Sequence, residues 1–185
     1  MELVRKIENK MSDWFKGLPP LPEGGREGLA KAFPWIALVI GILQLIAAWG
    51  LWNLTRTVDA LNTYVNTYYQ AATGTTASIG LSSTDKMVIY IGLIVLVIDA
   101  VILLLAFSPL SKRIRRGWDL LFLSALINLV YAVVSIFING RGFVSFIFSL
   151  LGSALGFYLL FQVKSKYGGA DAHKAVKHET PAKTE

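Results

Sequence analysis

Three polar side chains stand inside long apolar segments of this chain: Gln44, Asp99 and Asn128. Asp99 interrupts the apolar run from 87 to 107, and the other two lie about ten residues inside their own apolar segments. In hydrocarbon an unsatisfied polar group costs several kcal/mol, so such side chains turn inward and find partners. The three lie at similar depth, and we predict that they meet in one cluster near the middle of a membrane.

A polar cluster of this kind is compatible with two roles. It can be hydrogen-bonding glue between helices. It can also be a proton or solute site, because an acidic residue inside a membrane is a functional candidate by default. The predicted spans contain no Lys, Arg or His. Asp99 is therefore either protonated and hydrogen-bonded to Asn128 or Gln44, or ionised and facing a wet cavity.

Other kinds of chemistry have little support in the sequence. The chain has no cysteine, which excludes thiol catalysis and thiolate metal sites. Its two histidines, His173 and His178, lie five residues apart in a polar tail, which is weak evidence for a metal site. No phosphate-binding loop, nucleophile elbow or HExxH motif occurs. We expect no enzyme activity, no catalytic residue, no cofactor and no metal.

A row of small residues marks the last apolar segment. Its members recur at helical spacing, and the last two form a GxxxG pair: Ser145, Ser149, Gly152 and Gly156. Small residues let two helices approach closely in a membrane. The row is therefore a candidate helix-packing stripe, either inside the bundle or on an outer face that meets a second copy.

The apolar segments that carry these residues are each long enough to cross a membrane. Hydrophobic residues make up 54% of the 185-residue chain and charged residues only 16%, and the apolar residues come in blocks of about 20. The predicted fold is all-α, a four-helix transmembrane bundle over 33–163. Its spans are about 33–52, 87–107, 118–138 and 143–163, with Pro109 ending the second. In the loop over 53–86, the first half is expected to extend the first span or to lie on the surface.

The ends of the chain differ in character from the spans. Residues 1–18 predict an amphipathic helix, because Leu3, Ile7, Met11, Trp14 and Leu18 recur every three or four residues. This helix either lies in the membrane interface or packs on the cytoplasmic ends of the bundle. Residues 19–32 predict a Pro/Gly linker, and residues 164–185 predict a disordered basic tail.

The basic residues predict the orientation. Of the 18 Lys and Arg residues, 15 fall before the first span, in the second loop or in the tail, and 3 fall in the other two loops. The positive-inside rule then puts both termini in the cytoplasm. The second loop forms a cytoplasmic basic anchor that suits anionic headgroups: Lys112, Arg113, Arg115 and Arg116.

Together these features predict a multi-pass protein of the cell membrane that does not bind nucleic acid. The leading hypothesis is a non-enzymatic interaction or assembly protein, which either forms a homo-oligomer or binds another membrane protein. Tyr64, Tyr68 and Tyr69 lie in the first loop as a recognition surface or as an interfacial aromatic belt. The alternative is a small oligomeric channel or proton-coupled transporter that uses Asp99.

Overall fold

The computed structural model describes residues 2–15, 17–139 and 143–168. These residues form five α-helices, and no strand occurs among them. The all-α prediction is confirmed. The helices are α1 (Glu2–Phe15), α2 (Glu23–Thr73), α3 (Ser83–Ser111), α4 (Arg115–Asn139) and α5 (Phe143–Val163), and a 3₁₀ turn follows (Lys164–Lys166).

Three of these helices are long and apolar enough to cross a membrane. They are Glu23–Thr73, Ser83–Ser111 and the described part of α4, Arg115–Val134. The chain is thus compatible with a membrane protein. Helix α5 has the bounds predicted for the fourth apolar segment and is 21 residues long.

The expected linker over 19–32 is wrong from residue 23 onward, because α2 begins at Glu23. The described connector between α1 and α2 is residues 17–22. Pro34 lies well inside α2. Proline has no N–H and leaves the carbonyl four residues earlier without its helical donor. The Tyr167 hydroxyl donates to that carbonyl, the Ala30 oxygen, at 3.0 Å, which compensates for the missing bond.

The other end of α2 extends through Thr73, so the first half of the 53–86 loop continues the helix. A short connector then folds back along it. The Asn62 side-chain oxygen accepts from the backbone of Ile79 (3.0 Å) and Gly80 (2.9 Å) and from the Ser78 hydroxyl (3.1 Å). A Cβ on Gly80 would lie 2.7 Å from the Asn62 side chain, so a larger residue there would displace the side chain that holds the connector.

Pro109 does not end α3, which continues two residues further to Ser111. The turn into α4 is tight. Arg113 has a φ of +55°, and the Ile114 N–H donates to the Pro109 carbonyl at 2.9 Å. A Cβ on Gly117 would lie 2.6 Å from the Leu110 backbone nitrogen. The first turn of α4 is therefore packed directly on the last turn of α3.

The large buried side chains lie at this same end of the bundle, where α1, the α3–α4 turn and residues 164–168 meet. We call it the basic end. Trp118 and Phe122 are fully buried and stack at 5.3 Å. Phe161 packs edge-on against both rings at 5.8 Å. The Trp118 Nε1 donates to the Leu160 carbonyl at 2.8 Å, so its one polar group is satisfied.

Candidate functional site in the apolar bundle

The three polar side chains singled out inside the apolar segments are in contact. Gln44 Nε2 donates to Asp99 Oδ2 at 2.8 Å, and Asn128 Nδ2 donates to the same oxygen at 2.7 Å. One carboxylate oxygen thus joins α2, α3 and α4. Asn128 Nδ2 also lies 3.0 Å from the Ser124 carbonyl one turn earlier in α4.

Small residues bring the three helices close enough for these short side chains to meet. On α2, a Cβ at Gly41 would lie 3.1 Å from the Leu104 side chain and 3.2 Å from the Ala100 carbonyl of α3. Ala37 on α2 and Ala100 on α3 are both buried. Between α3 and α4, a Cβ at Gly92 would lie 2.7 Å from the Tyr131 hydroxyl. Close helix packing of this kind is characteristic of membrane bundles.

Asp99 is only 1% exposed and forms no ion pair among the described residues. Its second oxygen, Oδ1, is buried without a hydrogen-bond partner in the described part of the chain, and so is Gln44 Oε1. The two oxygens of the carboxyl group are therefore unequal. Oδ2 receives two N–H donors, whereas Oδ1 receives none from the described residues.

This arrangement joins three helices through one buried carboxyl oxygen. The described residues contain no group of three His, Cys, Asp or Glu that could hold a metal ion. The two histidines lie outside the described residues. What the geometry supports is interhelical hydrogen bonding through Asp99 Oδ2.

The small-residue stripe of α5 is described only in part. The side chains of Ser145 and Ser149 lie outside the described residues. Gly152 and Gly156 are exposed, and nothing described lies within 4 Å of a Cβ added to either. These two glycines therefore face away from the described bundle.

The four cations of the predicted basic anchor divide into two pairs. Arg113 makes a two-pronged ion pair with Glu27 of α2, one arm of which is 3.1 Å. Arg115 pairs with Glu8 of α1 and, at 3.0 Å, with Asp119. Lys112 and Arg116 are exposed and have no ion pair among the described residues. Half of the anchor is thus used inside the molecule.

Glu8 is the residue that joins α1 to the basic end, and sequence reasoning missed it. Only 4% of it is exposed, and its carboxylate contacts both Lys164, at 2.7 Å, and Arg115. Burial opposes the charged form of Glu8, but the hydrogen bonds from Lys164 and Arg115 outweigh burial and hold its pKa below the ordinary value. The sequence did contain a signal for this role: Glu8, Met11 and Phe15 are spaced by three and four residues, which puts Glu8 on the same helix face as the two apolar residues.

The packing of α1 follows from this face. Met11 is buried, and the Phe15 ring stacks on Phe161 of α5 at 5.3 Å. Trp14 lies on the other side and is 71% exposed. Of the two predicted placements for this helix, the structure has the one in which α1 packs on the end of the bundle. Glu8, Met11 and Phe15 make these contacts, and Trp14 faces outward.

The predicted disordered tail is wrong in its first residues. Tyr167 is 3% exposed, and burial raises its pKa to about 12. Its hydroxyl caps the carbonyl freed by Pro34, and the next residue, Gly168, donates its N–H to the Arg113 carbonyl at 3.1 Å. Residues 169–185 lie outside the described residues.

Comparison of the chain with protein-family models, curated proteins and solved structures finds no match to any of them. The class defined by the fold is an all-helical protein with three candidate membrane-spanning helices.

Proposed function

We propose that this chain is a four-span protein of the cell membrane that acts by assembly with a second membrane-protein chain and has no enzyme activity. In this proposal α2 to α5 each cross the membrane, and both termini lie in the cytoplasm. The contacts of Glu8 with Lys164, and of Tyr167 with Ala30, support this topology. They join the N-terminal helix, the start of α2 and the end of α5 at one end of the bundle, as an even number of spans requires.

The observation that carries the assembly role is the length of α2. A span needs about 20 residues, and α2 has 51, or about 75 Å of helix. Its charge-free part runs from Ala32 to Thr55. The part that follows, up to Thr73, therefore extends beyond the membrane on the side opposite the basic end.

This outer part of α2 exposes a face of large side chains to water. Leu61 is 52% exposed, Tyr64 80% and Tyr68 72%, and Leu54, at the end of the charge-free part, is 59% exposed. An exposed row of this kind is typical of an interaction site. The remaining faces are polar, and their threonines return hydroxyl bonds to their own helix, as Thr63 does to the Asp59 carbonyl.

The spacing of this face favours a second copy of the same helix as its partner. Leu54, Leu61 and Tyr68 recur every seven residues, and Val58 and Val65 complete an alternating three-and-four pattern. β-branched residues at one core position with leucine at the other favour parallel two-stranded coiled coils. Two copies inserted in one membrane with the same orientation present their outer helices in parallel.

Cysteine crosslinking tests this proposal cleanly, because the chain has no cysteine of its own. Leu61→Cys should form a disulfide-linked dimer under mild oxidation in native membranes. Thr63→Cys, exposed on the opposite side of the helix, is the matched control and should stay monomeric. A linked product of another mass would assign the face to a different membrane protein. Equal or absent linking at both positions would contradict the proposal.

A second candidate, a small oligomeric channel or proton-coupled transporter, is favoured by the unpartnered Oδ1 of Asp99. A carboxyl group inside a membrane span, with one oxygen unpartnered, is a candidate for proton transfer. Purified protein in liposomes should then show a proton flux that Asp99→Asn abolishes. Absence of flux above empty liposomes would contradict this candidate and leave the assembly role.

A further inference from the structure

A surface groove lies at the basic end, between the last turn of α3 and the first turns of α4. Its cavity volume is about 470 Å³. The groove has an apolar part and a polar rim. Leu105, Pro109 and Leu120 line the apolar part, and Ser108, Lys112 and Arg116 line the rim.

The two cations on the rim are the ones left over from the basic anchor. Arg113 and Arg115 are held by Glu27 and by Glu8 with Asp119, whereas Lys112 and Arg116 meet no acidic side chain among the described residues. The groove therefore has two uncompensated positive charges, which favour the binding of an anionic ligand.

The rim is held by a fixed turn. Gly117 packs on the Leu110 backbone, Ile114 N–H bonds to Pro109, and the Arg113 carbonyl accepts from Gly168 at 3.1 Å. The Arg113–Glu27 pair also ties this turn to α2. Lys112 and Arg116 thus extend from a backbone that is already ordered, which lowers the cost of binding.

The lining residues change along the helices from apolar to cationic, and this order matches a molecule with an apolar chain and an anionic head. Leu105 and Leu120 lie on the apolar part of α3 and α4, and the cations lie where these helices end. We propose that the groove binds an anionic phospholipid, whose phosphate contacts Lys112, Arg116 and the Ser108 hydroxyl while an acyl chain lies along Leu105 and Leu120. This inference rests on the proposed membrane placement, which puts the basic end at the cytoplasmic leaflet.

Native mass spectrometry of the detergent-purified protein tests the inference. Phosphatidylglycerol and phosphatidylcholine with identical acyl chains are added in turn. The native chain should retain phosphatidylglycerol preferentially. The double variant Lys112→Gln/Arg116→Gln should lose about 30-fold in apparent affinity for it, at about 1 kcal/mol for each cation. The matched control Lys6→Gln/Lys10→Gln removes two exposed cations of α1 and should bind as the native chain does.

Three outcomes would overturn the lipid site: an unchanged preference in the groove variant, an equal loss in the α1 control, or displacement of phosphatidylglycerol by millimolar inorganic phosphate. The last would assign the rim to free anions. If the groove variant melts at the same temperature as the native chain, its loss of binding is not a folding defect. A separate pair of variants tests the acyl position. Leu105→Glu should lose about tenfold more affinity for phosphatidylglycerol than Leu155→Glu, whose position on α5 is exposed. The same spectra report monomer or dimer mass, so failure of the lipid site is distinguishable from failure of assembly.

Discussion

At the level of single residues, the polar cluster tests how well the depth of a residue along a predicted helix predicts its contacts. Counting residues from the ends of the apolar segments predicted that Gln44, Asp99 and Asn128 lie in one layer, and the structure brings them into contact. Counting cannot predict that both amides donate to the same oxygen. That detail depends on side-chain rotamers and on the close approach of α2 and α3 at Gly41.

Substitution of Asp99 should separate hydrogen bonding from charge. Asp99→Asn keeps an acceptor for both amides, and its new NH₂ group takes the place of the unpartnered Oδ1. We therefore expect the free energy of unfolding to change by no more than about 1 kcal/mol. Asp99→Leu leaves the Gln44 and Asn128 donors unpaired and should cost about 2–4 kcal/mol. Thermal unfolding in detergent measures both. Equal stability of the leucine variant and the native protein would mean that the cluster does not hold the helices together.

At the level of elements, the helical segments were predictable, and so were the ends of α5, whereas the start of α2 was not. The fourth apolar segment matches α5 because Gly140 and Gly142 interrupt the helical pattern before it and basic residues follow it. Helix α2 exceeds its predicted span at both ends, since Glu23 to Ala32 and Asn53 to Thr73 gain their stability from tertiary partners. Those partners, Arg113 for Glu27 and the connector around Asn62, are remote in sequence.

The docking of α1 should depend on the charge of Glu8. Glu8→Gln removes the ion pairs to Lys164 and Arg115 and should cost about 2 kcal/mol, or about 30-fold in the opening of α1. Hydrogen exchange of residues 6–15 measures that opening. Trp14→Asp, on the exposed side, is the control and should leave the protection of α1 unchanged. If Trp14→Asp raised exchange as much as Glu8→Gln, the docking face would have been misidentified.

Acid should have the same effect as Glu8→Gln. The pKa of Glu8 is lowered in the folded state, so its stabilisation is complete above the ordinary value of 4.5 and is lost as the pH falls through the folded-state pKa. Exchange in α1 should therefore rise below about pH 4.5 in the native chain and stay flat in Glu8→Gln. A parallel rise in both proteins would assign the acid response to other groups.

For the whole molecule, the charge distribution predicts the orientation, and the fold adds that the connector after α2 and the turn after α3 lie at opposite ends of α3. Single cysteines at Ser78 and Ser111, both exposed, should label from opposite sides of a sealed membrane, with Ser78 outside. A membrane-impermeant maleimide added before and after permeabilisation measures this. Labelling of both positions from the same side would rule out the proposed topology.

The unbroken length of α2 also has a mechanical consequence. From its tight contact with α3 at Gly41, the helix runs 32 residues to Thr73, which makes an arm of about 48 Å. Tilting this lever by about 10° about Gly41 would move its tip by about 8 Å. The same tilt would strain the Glu27–Arg113 pair on the short arm, because Glu27 moves in the opposite direction. A force applied to the outer face of α2 would thereby reach the turn that carries the basic groove through the Glu27–Arg113 pair.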